Sequence, residues 1–269
     1  MAAGLSYWNV KKHNIMRKYI KFTCLTAAAA TLAFSQSCMK TEGYDTSLLS
    51  PNALVTVKPV DGNTSFYMQL DDSTTLEATN LKTSPFGEKE VRALLNFTDT
   101  GEPGTTYDKK VYVNWIDDIL TKSLVEDLGE GNDEKYGSDP VELANSWVNI
   151  AEDGYLTLQF IANWGNTSTA HEVNLLNAGT EENPYIVEFR HNAHGDYGVT
   201  PASGIAAFRL DDPDNGLSLP DTEGKTVDLT LRYKSFDGVE KEVKFKYCTR
   251  KTTEEGNIDT QADFSLKLR

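Results

Sequence analysis

Cysteine is scarce in this chain of 269 residues, with only Cys24, Cys38 and Cys248. The first two lie in or at the end of an apolar stretch near the start. Cys248 is then alone in the body, which excludes an intrachain disulfide there and leaves stability to buried cores. Positive charge is also short, at 26 Lys and Arg against 40 Asp and Glu, a formal net charge of -14. Lys11, Lys12, Arg17, Lys18 and Lys21 sit before residue 38 with no acid among them, so the rest is more acidic than the whole. A body so charged repels nucleic-acid phosphates and anionic lipid head groups, which argues against a nucleic-acid partner. No apolar run reaches the roughly 20 residues that a membrane-spanning helix needs. Catalytic signatures are missing too. There is no G-x-S-x-G elbow, no phosphate loop and no H-E-x-x-H, and Cys248 has no histidine near it in sequence. The chain does not read as an enzyme.

What is present begins with a leader. Residues 1–37 read as an N-terminal extension followed by a lipoprotein signal peptide. Met16 is the better start, because Arg17, Lys18 and Lys21 then form a compact positive segment. Phe22 to Phe34 is apolar or small, with four consecutive alanines, the length of an export signal. Ser35-Gln36-Ser37-Cys38 follows and is similar to a bacterial lipobox, with Ser35 where leucine is usual. Cys38 is the expected lipidation site, and acylation by more than one chain anchors a protein stably to a membrane. An ordinary cleaved signal is the alternative. Residues 38–51 are polar and read as a tether.

The body reads as all-β, a small OB-like barrel followed by an antiparallel β-sandwich. Residues 52–125 hold five short runs: Leu54 to Lys58, Phe66 to Leu70, Thr75 to Thr79, Val91 to Thr98 and Val111 to Ile119. Turn residues separate them, and five such strands suit a small closed barrel of OB type. OB barrels bind oligonucleotides or oligosaccharides. From Pro51 to Lys122 there are seven basic and eleven acidic residues, which is not a basic groove. Tyr67, Phe86, Tyr107, Tyr112 and Trp115 remain open to two readings, core packing or a sugar-stacking platform. Residues 126–145 form an acidic linker whose first part, EDLGEGNDEKYGSDP, is Gly-rich and nearly without apolar side chains. Residues 146–269 are the sandwich domain. Trp147 to Ala151 and Tyr155 to Ala162 flank Asp153-Gly154, and Val227 to Tyr233 and Val239 to Tyr247 flank Asp237-Gly238. Both dipeptides are hairpin signals. Ala170 to Leu176, Tyr185 to Asn192, Ile205 to Leu210 and Phe264 to Leu268 add further strands, giving seven or eight.

The order of these features resembles a family. The lipobox leader, the barrel ending in YVNWIDDIL, the acidic stretch, then DGYLTLQF, HEVNLL and YIVEFRHNAHGD look like the NigD-like lipoproteins of Gram-negative anaerobes. The resemblance spans roughly residues 50 to 250. It implies an OB-like N-terminal domain and a C-terminal β-sandwich. Its name comes from an operon linked to a bacteriocin, and it implies no particular biochemistry.

Three of the four histidines cluster in sequence: His171, His191 and His194. An antiparallel pairing of Asn177 with Tyr185 sets Leu175 against Val187, Val173 against Phe189 and His171 against His191, all on one apolar face. With Asp196 or Glu172 the three imidazoles have the ligand chemistry of a zinc or other divalent-metal site. Histidines that cap a core face by hydrogen bonding are the competing reading. No other cofactor is indicated. Asp212 to Glu223 has the length of a calcium loop but places Leu217 where glycine is required, so an acidic turn is expected. Together these features point to a lipid-anchored protein of the cell envelope, at the outer membrane. It would act by binding a glycan or another envelope protein. A metal- or carboxylate-dependent hydrolase of extracellular polymers is an alternative, and a bacteriocin-associated immunity or export role is another.

Overall fold

The computed structural model describes residues 46–165, 168–212 and 216–250. The leader, Cys38, most of the tether and the strand expected at Phe264 to Leu268 lie outside the described residues.

The first half is a closed five-stranded barrel. Strands β1 (Ala53–Val60), β2 (Ser65–Gln69), β3 (Thr75–Ala78), β4 (Val91–Pro103) and β5 (Lys109–Asp118) close in the order β1-β2-β3-β5-β4. All five fall on the runs read from the sequence. Alternation sets the inside: Phe66 and Met68 of β2 are buried while Tyr67 between them faces out. Ala53, Val55, Val57, Leu76, Val91, Ala93, Leu95, Val111 and Val113 are buried with them. A bulge bends β4 against β5, where Asn96 pairs with Trp115 and Phe97 with Val113, leaving Asn114 as the extra residue. Asn114 uses its amide to bridge Asn96 and Thr98. Where β1 turns into β2, Asp61, Gly62 and Asn63 all take positive φ, which short polar side chains and glycine tolerate. Asn63 also exchanges hydrogen bonds with the backbone of Ser84, tying that turn to the β3–β4 connection.

The barrel runs directly into the second half. A single residue, Ile119, separates β5 from β6 (Leu120–Ser123), which already belongs to the sandwich. Leu124 is buried in the sandwich core, and β7 (Val125–Glu126) joins the opposite sheet. The stretch expected to be a linker is therefore structural. Residues 129–136 form a 3-10 turn and a short helix, whose Asn132 and Tyr136 are buried. Its composition misled because a few anchors suffice: Asn132 bonds Asp127 and Leu128, and the Tyr136 hydroxyl donates to the Glu126 carbonyl.

The remaining strands are β8 (Glu142–Leu143), β9 (Ile150–Glu152), β10 (Tyr155–Trp164), β11 (Glu172–Asn177), β12 (Ile186–Asn192), β13 (Thr200–Arg209), β14 (Val227–Lys234) and β15 (Glu240–Tyr247). One sheet runs β6-β13-β10-β8 with β9 also on β10; the other runs β15-β14-β12-β11-β7. The sandwich stands as expected, and both hairpins turn at their Asp-Gly dipeptides. Three pairings, β7 with β11, β12 with β14 and β6 with β13, are parallel rather than antiparallel. Between the sheets Phe160 and Phe208 both pack on Phe189, with ring centroids 5.1 and 5.9 Å away.

The two halves share a junction. Leu54, Ile119, Val148 and Ala207 form a small apolar core there. Around it lies a polar network. Arg92 of β4 reaches Glu152 of β9 and the Thr56 hydroxyl, and Lys58 of β1 pairs with Asp153 at 2.8 Å. The Tyr155 hydroxyl donates to Glu90, and Arg250 meets both Glu90 and Asp211.

Candidate functional site

The histidines meet, but not in the expected register. Val173, not His171, lies opposite His191, and Leu175 lies opposite Phe189. The shift is two residues, so every side chain keeps its face and the apolar pattern is equally satisfied. The β11–β12 loop accounts for it, since Ala178 bonds Ile186 and closes the hairpin one pair further out. His171 thus stands just before β11 and reaches diagonally. Its Nδ1 lies 2.9 Å from His191 Nε2, and its Nε2 lies 3.2 Å from Asp196 Oδ2. Trp164, at the end of β10, stacks on the His171 ring at 3.6 Å and 15°. Asp196 Oδ2 also accepts from the Gly165 amide.

Both nitrogens of His171 are therefore engaged, each by a different partner. Burial, and then the neighbouring His171, push the His191 pKa below the usual imidazole range. His194 stands apart, at φ 50° on the following turn, with its Nε2 3.5 Å from Glu172 Oε2. A cation shared by His171 and His191 would have to part a hydrogen-bonded pair, and His194 is paired with Glu172 instead. Among the described residues, no group of three or more His, Cys, Asp or Glu is gathered to hold an ion. The arrangement suits a buried strut better than a metal centre. It ties the end of β10, the start of β11 and the β12–β13 loop through one imidazole. Part of the acidic turn at Asp212 lies outside the described residues; Asp212 itself accepts from the Ser123 hydroxyl.

A second constellation lies on the barrel. Tyr67, on the outer face of β2, is stacked by Tyr107 from the β4–β5 loop, with centroids 4.6 Å apart and planes 19° from parallel. A loop tip is normally mobile; this one is pinned to β3. Asp108 Oδ2 accepts from both the amide and the hydroxyl of Thr75, at 2.7 and 2.6 Å, and the Asp108 amide donates back to that hydroxyl at 3.1 Å. The Thr105 amide donates to Glu77 at 3.0 Å. Those bonds to Thr75 hold the Asp108 carboxyl below its usual range. Burial raises the Tyr67 phenol, followed by the charges of Asp153 and Glu90; burial raises Tyr107, followed by Tyr67, Glu77 and Asp61. Of the other barrel aromatics, Phe86 packs against the core and Tyr112 is 51% exposed. The sequence displayed Tyr67 and Tyr107 but not their contact, because 40 positions separate them.

A polar cleft of about 240 Å³ opens on the sandwich between residues 133–139, β12 and the β14–β15 hairpin. Its Arg190 is held by Asp133 and Glu188.

The architecture defines a class, an OB barrel fused without a spacer to a β-sandwich. Models of the NigD-like N-terminal OB domain and of the NigD-like C-terminal beta sandwich domain match residues 54–119 and 123–247. The chain belongs to the NigD-like family. A protein from Parabacteroides distasonis, provisionally named toxin related, has a solved structure and is 39% identical. The match covers 73% of this chain and 92% of that one, with a TM-score of 0.59. A protein of unknown function from Bacteroides vulgatus is 21% identical over 72% and 89%, TM-score 0.55. A NigD-like immunity protein from Bacteroides caccae is 17% identical over 73% and 96%, TM-score 0.50. At those identities the last two speak for the fold alone. No curated protein matches the sequence.

Proposed function

We propose that this protein is a lipid-anchored component of the cell envelope, held at the outer membrane through Cys38, and that it acts by binding a glycan or another envelope protein. The observation that carries the binding half is the aromatic stack of Tyr107 on Tyr67. It lies where OB barrels take their ligands, on the β2–β3 side beside the β4–β5 loop. A loop held by four hydrogen bonds presents its ring without an ordering cost at the moment of binding. The anchor rests on the leader alone, a positive segment, a short apolar stretch and Ser35-Gln36-Ser37-Cys38.

Metabolic palmitate labelling of the native host, with wild type and Cys38→Ala, tests the anchor. Label on wild type and none on the variant, which leaves the membrane fraction, is the expected result. Unlabelled wild type removes the anchor from the reading. A role beside a toxin or bacteriocin is a second reading, favoured by the name of the 39% identical relative. Unchanged bacteriocin sensitivity after gene deletion would remove it.

A further inference from the structure

We infer that the β12–β13 loop is closed by an acid-sensitive clasp: the row Asp196, His171, His191 holds the loop while at most one imidazole of the pair is charged, and releases it when both are. The clasp sits at the Trp164 end of β10, away from Tyr155 and the junction, and does not depend on the barrel face. The row is buried, with the His171 side chain 3% exposed, that of Asp196 4%, and His191 buried beside them. Asp196 belongs to the loop, His171 stands before β11 and His191 lies in β12. Through Asp196 Oδ2 the loop takes both the His171 ring and the Gly165 amide. Its backbone is pressed on the end of β10, where a Cβ added to Gly198 would fall 1.8 Å from the Trp164 carbonyl oxygen. Tyr197 and Val199 of the same loop are 79% and 93% exposed, so their side chains add little apolar burial to hold it.

A count of hydrogens sets the limit. His171 Nδ1 and His191 Nε2 lie 2.9 Å apart, and a hydrogen bond at that distance carries one hydrogen, whichever ring it sits on. Two neutral imidazoles supply that, and so do one neutral and one charged. Two imidazolium rings carry a hydrogen on every ring nitrogen, so the same contact would set donor against donor and charge against like charge in a buried site. Once the loop lifts, both rings are hydrated and each takes a proton at its ordinary value, about 6.5. The open loop therefore binds more protons than the closed one, and acid favours it. Neighbouring charges do not reverse the sign. Asp196 faces His171, and Asp139, from the segment before β8, favours a charged His191 but is outweighed by burial and by His171. Either carboxylate can balance a charge, yet neither removes the surplus hydrogen. His194 is paired with Glu172, Lys122 of β6 with Asn174 and Glu172, and Arg190 with Asp133 and Glu188. The lowered His191 pKa gives the same direction: its contribution to closure is complete above about 6.5 and is lost as pH falls.

Hydrogen exchange of the full-length protein in detergent, read by mass spectrometry near about pH 7 and about pH 5, tests the clasp. Rates are expressed as protection relative to the unstructured chain at each pH, which removes the intrinsic pH dependence of exchange. The β12–β13 loop and the end of β10 should lose protection about tenfold or more at the lower pH, as one extra proton taken up below about 6.5 requires. The β14–β15 hairpin should keep its protection within about twofold. His191→Gln places an amide near the position of Nε2 that can donate to His171 or accept from it but takes up no proton. It should hold the loop with a pH response of less than about threefold. The inference is overturned if loop protection is equal at the two pH values, if the hairpin loses protection along with the loop, or if His191→Gln folds and responds to pH as wild type does. Should that variant fail to fold, the wild-type comparison of loop and hairpin decides alone.

Discussion

Arg92→Met is the substitution that most directly probes how the two halves are held together. The Arg92 side chain is 1% exposed and that of Glu152 7%, and they form an ion pair across the junction. Arg92 Nη1 also donates to the Thr56 hydroxyl at 2.8 Å. Removing one member of a buried pair strands the other charge, at a cost of about 3–5 kcal/mol. In a body of this size, about 1 kcal/mol moves the melting temperature by roughly 2–4 °C, so Arg92→Met should lower it by about 6–20 °C. Replacing both residues, as Arg92→Met with Glu152→Met, should recover most of the loss, because no desolvated charge then remains.

The pH dependence of this deficit supplies an independent check. Burial raises the Glu152 pKa, opposed by Arg92. Without Arg92 it rises further. A carboxyl whose folded pKa exceeds its unfolded one favours the folded state at low pH, and that contribution is lost as pH rises through the folded value. The Arg92→Met deficit should therefore be larger near about pH 8 than near about pH 5. Urea unfolding of wild type, both single variants and the double variant at the two pH values measures all of this. A single-variant loss under about 1 kcal/mol, an equal deficit at both pH values, or a double variant as unstable as Arg92→Met would refute the reasoning.

Three further outcomes follow from particular contacts. Gly137→Ala should cost about 2–3 kcal/mol in urea unfolding, because φ is 78° and the new Cβ falls 2.6 Å from both Asn192 Cβ and the His191 carbonyl oxygen. His171→Phe keeps a ring against Trp164 but loses both hydrogen bonds, and should cost about 2–3 kcal/mol; a loss below about 0.5 kcal/mol would show that packing alone holds this end. Burial, against the pull of Arg250 and Arg209, raises the Asp211 pKa to about 6, so its contribution favours the fold below its unfolded value and is lost as pH rises through about 6. Unfolding midpoints across that range should fall more steeply in wild type than in Asp211→Asn.

Much of this fold was legible because its strands announce themselves locally. Alternation in Phe66-Tyr67-Met68 and in Val227 to Tyr233 marks buried and exposed faces without any knowledge of partners. Asp153-Gly154 marks a turn by itself. Long-range facts were less accessible. A two-residue slip of β11 against β12 leaves every face unchanged, so hydrophobic pattern cannot choose between the two registers. Parallel pairings such as β6 with β13 join segments about 85 residues apart and leave no local mark. The acidic stretch from Glu126 reads as a linker because composition averages over residues, while Asn132 and Tyr136 anchor it individually.

The junction and the aromatic platform are parts of one construction. Glu152 and Asp153 are consecutive at the β9–β10 turn, yet they grip different barrel strands, Glu152 holding Arg92 of β4 and Asp153 holding Lys58 of β1. Lys58 lies opposite Tyr67, on which Tyr107 rests. One tight turn of the sandwich therefore holds two barrel strands, one of them the strand paired with that of Tyr67. With a single residue between β5 and β6, the chain has no slack with which to separate these roles. Apolar residues alone can stabilise a junction as well as a buried charged network does, so what the pairs add here is a fixed geometry between the two halves, which the Arg92→Met and Glu152→Met double variant tests.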